Sequence, residues 1–144
     1  MNLVLRPAGE DDIPLILSAG LADSSFQVSE RIPFYIESEL REWVSKPADN
    51  LLYVLLKDEH LGGFFYCKIM SHHWAMLDNF YVVHPLRGSR AFKCLLDGLV
   101  NVLRARGISY LTTLIDVNRE ELTGIAEHAG FAAARNYVWF ERFL

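Results

Sequence analysis

The sequence predicts an α/β (α+β) fold: a mixed, mostly antiparallel central sheet of six to seven strands flanked by about four helices. Three observations carry this. Apolar, β-prone runs at residues 51–56, 61–70 and 74–83 are separated only by short polar turns, the mark of an antiparallel meander. A strongly amphipathic helix follows over residues 91–106. Past Gly107 comes a further apolar, β-branched run, which makes a β-α-β crossover with the strand before the helix.

The elements follow in order. Residues 2–5 read as a short strand that stops at Arg6-Pro7. Glu10, Asp11 and Asp12 are acids where a helix start favours them, and Pro14 is tolerated in a first turn. Ile13, Leu15, Ile16 and Leu17 give a short helix. Residues 24–45 read as a second helical region, broken near Pro33, with Phe34, Ile36, Leu40, Trp43 and Val44 on its apolar face. The three meander strands are joined by Asp58-Glu59-His60 and by Ser71-His72-His73. In the helix at 91–106, Phe92, Leu95, Leu96, Leu99, Val100 and Leu103 face inward, and Gly107 is its stop. Residues 108–115 suit a central buried strand. Asn118, with Glu121 three residues on, resembles a capping box before a helix at 122–129. Residues 132–143, rich in aromatics, return as a strand. No repeat or linker interrupts the series, so residues 1–144 read as one domain.

Composition narrows the function. The chain has 144 residues, of which 51% are hydrophobic, enough for a core without disulfides or metal. A formal net charge of −4 gives no basic field for nucleic acid. The two cysteines, Cys67 and Cys94, fall in apolar runs and read as buried thiols in a reducing compartment. No apolar stretch reaches the ~20 residues of a membrane span, and M-N-L-V-L-R-P lacks a signal-peptide pattern, which predicts a cytoplasmic protein. His72 and His73 are adjacent, so their side chains diverge and a shared metal is not expected. Trp43, Trp74 and Trp139 read as core or pocket wall.

The segment that carries chemistry is F-Y-V-V-H-P-L-R-G-S-R-A-F-K, residues 80–93. A strand runs into a loop of Arg87, Gly88, Ser89 and Arg90 and then into a helix. N–H groups at a helix start lack intrahelical partners and carry the positive end of the dipole, so a pyrophosphate fits there. A plain strand-to-helix turn with two solvated arginines is the other reading of the same residues.

The chain resembles the GNAT superfamily of N-acetyltransferases along essentially its whole length. L-R-P-A-G-E-D-D-I is similar to that family's first strand and helix entry. V-V-H-P-L-R-G-S-R-A after the meander is similar to its acetyl-coenzyme A motif, Gln/Arg-x-x-Gly-x-Gly/Ala. N-R-E-E-L-T-G-I-A-E-H-A-G-F is similar to its second motif, an Asn, a helix and then Gly-Phe. The resemblance implies an acetyl-coenzyme A cosubstrate held by Arg87, Gly88, Ser89, Arg90, Ala91 and Phe92. Tyr81, Val82 and Val83 would run beside its pantetheine arm, and Asn118 would touch it. Two residues depart from the pattern: Arg90 stands at a usual Gly, and Phe92 at a usual Gly or Ala.

By the same resemblance, an amine attacks the thioester directly. A backbone N–H near Tyr81 or Val82 would polarise the carbonyl. Asp78 sits where the family often has its base, or Asn79 if the register shifts by one; a solvated strand residue is the other reading of Asp78. The family's usual tyrosine acid falls on Ala126 here, which leaves unassisted thiolate departure, Tyr137 as the acid, or loss of catalysis. The implied partner is an amine acceptor, small molecule or protein, with no metal, nucleic acid or membrane; the family also leaves room for a homodimer. A non-catalytic acyl-coenzyme A-binding or protein-interaction module of the same fold is the competing expectation.

Overall fold

The computed structural model describes residues 2–23, 26, 31–32 and 34–144. These fall into two compact units, Met1–Leu114 and Ile115–Leu144.

The first unit holds one sheet in the order β1 (Leu3–Pro7), β2 (Asn50–Lys57), β3 (His60–Ile69), β4 (Trp74–Val82) and β5 (Tyr110–Thr113). The first four strands are antiparallel in succession, and β5 lies parallel to β4. Between β2 and β3 the chain turns through Asp58 (φ 49°) and Glu59 (φ 69°), a two-residue hairpin with both central residues left-handed, as strand twist requires. Among the described residues three α-helices accompany the sheet: α1 (Ile13–Leu21), α2 (Glu37–Ser45) and α3 (Arg90–Ala105).

Strand alternation divides the core between the two sheet faces. Leu52, Val54, Phe64 and Tyr66 face α1 and α2, where Ile13, Ile16, Phe34 and Leu40 complete a buried cluster. Leu51, Leu55, Phe65 and Cys67 alternate with them, and Leu95 and Leu99 of α3 are equally buried. On that side Leu5 of β1 occupies the space a side chain at Gly98 would need, so β1 and α3 meet there. Gly63 is required for a different reason: a Cβ there would collide with the Tyr81 carbonyl oxygen of β4.

The second unit, residues 115–144, contains one helix, α4 (Glu120–His128), and no strand.

Several sequence-based expectations are corrected. The sheet has five strands among the described residues, not six to seven. Residues 132–143 form no strand: Tyr137, Val138 and Phe140 are 79%, 77% and 90% exposed, and Trp139 is 59% exposed rather than core. Four consecutive large apolar residues suit a strand covered on both faces, and without such cover β-propensity does not make one. The strand expected at 108–115 is only Tyr110–Thr113, and among the described residues it is an edge strand of the sheet, not a central one. Its first residues are taken by the end of α3. Gly107 (φ 76°) donates to Arg104 O and buried Ile108 donates to Leu103 O, a Schellman closure. Asn118 does not cap α4; Arg119 holds that position without a side-chain cap, while the Asn118 N–H donates to Asp116 Oδ1 at 2.9 Å. Among the described residues of the helical region expected at 24–45, the α-helix is α2, and Phe34 and Ile36 precede it; residues 24, 25, 27–30 and 33 lie outside the described residues.

The entry to α1 is set by one carboxylate. Asp12, with its side chain 7% exposed, accepts from Arg6 through two contacts of 2.6 and 3.0 Å and from the Gly9 N–H at 2.7 Å. Burial pushes the Asp12 carboxyl up, but the Arg6 and Gly9 hydrogen bonds outweigh it and hold it below the ordinary carboxylate value. A depressed folded value means stabilisation that is full above the unfolded carboxyl pKa, ~3.9, and is lost as pH falls through the folded one. Asp12→Ala should therefore cost about 1–3 kcal/mol at pH 7, and the gap to wild type should close towards pH 3. Urea denaturation at both pH values measures it; an undiminished gap at pH 3 would contradict the assignment.

Candidate active site

The site is organised by an irregularity in β4. In the β3–β4 ladder Tyr66 pairs with Asn79 and Cys67 with Leu77, so Asp78 is the extra residue of a β-bulge. The bulge resets the side-chain alternation. Met76 and Asp78 line a cavity on the α1/α2 face, and Asn79 and Tyr81 turn to that same face. Asp78 and Asn79, the two alternatives that the sequence leaves open, both meet one group, the Tyr35 hydroxyl. Tyr35 donates to Asp78 Oδ2 and accepts from Asn79 Nδ2.

Burial pushes the Tyr35 phenol far above its ordinary pKa, and the Asp78 charge adds to the shift. Tyr35 therefore stays protonated at any ordinary pH and serves as a donor that fixes the carboxylate. Tyr66 is pushed up by the same two causes; its hydroxyl donates to Asn50 Oδ1 at 2.7 Å, and its ring stacks on Trp43 with centroids 3.8 Å apart. Burial and the Asp78 charge also push the Cys67 thiol up to about 12, which excludes it as a nucleophile at neutral pH.

The same strand parts from its neighbour at this point. The β4–β5 ladder runs only from Trp74↔Tyr110 to Leu77↔Thr113, while β4 continues to Val82. Residues 78–82 thus have no strand partner on that edge among the described residues, over roughly 13 Å at ~3.3 Å per residue. Bulge, carboxylate and open edge coincide at Asp78.

Beyond Val82 the chain makes a 3-10 turn, His84–Leu86, and then the loop into α3. Val83 N–H donates to Gly62 O at 3.0 Å, which ties the loop's base to β3. Gly88 adopts φ 75°, the left-handed region that favours glycine, and a Cβ there would meet nothing within 4 Å. Ser89 is the N-cap of α3: its Oγ accepts from the Ala91 N–H at 3.2 Å and donates to Leu86 O. The remaining N–H groups of the first turn have no acceptor within the helix.

The two arginines differ. Arg87 is held back along the strand: its Nε donates to Val82 O at 3.0 Å, its guanidinium stands 5.6 Å from the Tyr81 ring centroid, and it lies 3.8 Å from Asp23. Arg90, at the first helical position, is exposed. Phe92, the departure from the family's small residue, turns to the sheet and packs edge-on against Phe80, centroids 5.3 Å apart. The bulky side chain is thus absorbed by β4.

In the second unit Ala126 lies within α4, and Phe131 N–H donates to its carbonyl at 3.0 Å. Tyr137 is exposed in the segment that follows. The residue that sequence reasoning missed is Tyr35. It stands 43 positions from Asp78, with no motif around it, and only the fold joins them.

No protein-family model matches the sequence, and no curated protein matches it significantly. Solved structures do match the fold. PaiA N-acetyltransferase from Thermoplasma acidophilum, in complex with coenzyme A, aligns with 95% of this chain and 94% of its own, at a TM-score of 0.83 and 15% identity. AAC(6')-Iy, in complex with the bisubstrate analog CoA-S-monomethyl-acetylneamine, aligns over 100% of both chains, at a TM-score of 0.78 and 11% identity. An aminoglycoside acetyltransferase from an uncultured soil metagenomic sample, in complex with sisomicin, aligns with 99% of this chain and 96% of its own, at a TM-score of 0.77 and 15% identity. The chain therefore has the fold of the GNAT N-acetyltransferases that its sequence resembles. No helix among the described residues is long and apolar enough to cross a membrane.

Proposed function

We propose that the protein is an acetyl-coenzyme A-dependent N-acetyltransferase that works as a single domain over residues 1–144 in the cytoplasm. The observation that carries this reading is the coincidence at Asp78 of a β-bulge, an open strand edge and a cavity, with a helix-start loop at the end of the same strand. Coenzyme A-bound proteins of the same fold support it.

In this reading the pyrophosphate lies at residues 87–92, on N–H groups at the start of α3, with Arg87 and Arg90 adding charge. The pantetheine arm runs along the open edge of β4. The amine nitrogen attacks the thioester carbonyl; a C–N bond forms, the oxyanion takes an N–H near Tyr81 or Val82, and the C–S bond then breaks. Asp78 receives the ammonium proton, held in place by Tyr35. The thiolate takes a proton from Tyr137 or from water, since a thiol of pKa near ~8.5 leaves readily. Asn118 would touch the arm.

Ala126, where the family's acid stands, favours a second reading, a non-catalytic acyl-coenzyme A-binding module. Both readings need the phosphate loop. Gly88→Asp should weaken acetyl-coenzyme A binding at least tenfold, whereas Gly88→Asn, with similar backbone strain and no charge, and Arg104→Ala, in the last turn of α3, should weaken it far less. Calorimetry on the three variants decides; equal affinities would remove the site from this loop. Thiol release with an amine panel then separates enzyme from module.

A further inference from the structure

The cavity beside Asp78 has a volume near 310 Å3. That is the low end of ligand pockets, about 300–1,000 Å3, and room for only about ten waters at ~30 Å3 each. Its wall is largely aromatic and apolar: Phe34, Trp43, Tyr66 and Met76 surround the Asp78 carboxylate. Trp43 and Tyr66 are stacked 7° from parallel, and Tyr35 meets each of them edge-on, at 84° and 82°, so the wall is interlocked.

Resting on the acetyl-transfer reading above, we propose that the acceptor is a small primary monoamine bearing one flat apolar group, of the arylalkylamine class. The ammonium sits against Asp78, the proton acceptor, and the ring faces provide the negative quadrupole that favours a cation. The apolar body packs between Phe34, Trp43 and Met76, where burying it gains about 25 cal/mol per Å2.

Charge completes the selection. Glu39 and Lys68 also line the cavity. Glu39 accepts from the Ile36 N–H at 3.2 Å and Asp78 from the Tyr35 hydroxyl, and Asp78 is the carboxylate that stands among the aromatic side chains of the wall. Lys68 places one positive charge beside the two carboxylates, so the wall carries a formal net charge of −1 that matches one ammonium and not two. A polyamine and a multi-ring aminoglycoside, each with several ammonium groups, are disfavoured by that charge balance. The selection therefore differs from that of the two structural neighbours described with aminoglycoside-type ligands.

The test uses the full chain. Acetyl-coenzyme A binding is measured first by calorimetry; its absence would defeat the acetyltransferase reading itself, and this inference with it. Given binding, phenethylamine, spermidine, kanamycin and an Ala-initiated tetrapeptide are titrated into the coenzyme A complex and compared as acceptors by thiol release. Phenethylamine should bind at least tenfold more tightly than the other three and, where turnover occurs, should have the highest kcat/KM. Equal or tighter binding by any of the others, or no binding of phenethylamine, would overturn the proposal. Lys68→Glu, an exposed substitution, should cut the preference for phenethylamine over spermidine at least tenfold. An unchanged preference in that variant would equally overturn the charge argument. Trp43→Ala should raise KM for phenethylamine more than it lowers kcat; the reverse split would place Trp43 outside the acceptor site.

Discussion

Replacing Asp78 by Asn is expected to lower kcat/KM for amine acetylation by roughly 10²–10⁴-fold, the usual contribution of one positioned proton acceptor. The amide keeps the shape of the side chain and its place in the bulge. It also keeps an oxygen to accept from the Tyr35 hydroxyl, so the local hydrogen bonding survives. What it loses is the capacity to take the ammonium proton. Tyr35→Phe should cost less, because Tyr35 positions the carboxylate and does not accept the proton itself. Acetyl-coenzyme A affinity should stay close to wild type in both variants, since the proposed phosphate site at residues 87–92 lies past the end of β4, away from Asp78. Stopped-flow or steady-state thiol release, with calorimetry alongside, measures all three quantities. A loss of coenzyme A affinity as large as the loss of rate would mean that Asp78 holds the fold and not the proton.

Phe64→Ala should destabilise the protein by about 3–5 kcal/mol, the range for emptying a large buried aromatic site. Phe64 is fully buried in the centre of β3. Its ring lies 5.9 Å from Phe26, 6.3 Å from Phe34 and 5.5 Å from Tyr81, between the two sides of the α1/α2 face. None of these neighbours is free to fill the gap, because Phe34 also packs on Tyr35 at 4.3 Å and Phe26 on Tyr81 at 5.1 Å. A fall in Tm on the order of 10 °C is expected for a chain of this length. The acceptor cavity should suffer as well, since Phe34 stands on Phe64 and beside Tyr35. A change below about 1 kcal/mol would show that the aromatic cluster relaxes freely, and would remove the argument for an interlocked cavity wall.

The residues that were legible in the sequence are those whose structure is decided locally. Strands β2, β3 and β4 lie within a residue of the predicted runs, because each is a long apolar stretch bounded by a polar turn. Helix α3 and its glycine stop were equally plain, since amphipathic spacing and the αL cap are both local signals. The strand–loop–helix order around residues 80–93 is legible through the same logic. What failed depended on which partner a residue finds, near or far in the chain. Residues 132–143 have the composition of a strand, but a strand exists only where another edge receives it. Asn118 is a good cap residue, yet its N–H is drawn into a turn by Asp116. The bulge at Asp78 has no sequence mark at all, because a register shift belongs to the pair of strands and not to either one. Tyr35 escaped for the same reason: its meaning comes from Asp78 and Asn79, and only the packing of the segment before α2 against β4 brings the three together.

The central claim is that the loop at residues 87–92 and the open edge of β4 hold acetyl-coenzyme A. Calorimetric titration of the wild-type chain with acetyl-coenzyme A, repeated as a thermal melt, tests it most directly. Binding below millimolar Kd is predicted, with a Tm that rises steadily with ligand concentration because only the native state binds; at one hundred times Kd the stabilisation should reach about 2.7 kcal/mol. No heat of binding and an unchanged Tm at millimolar acetyl-coenzyme A would contradict the account.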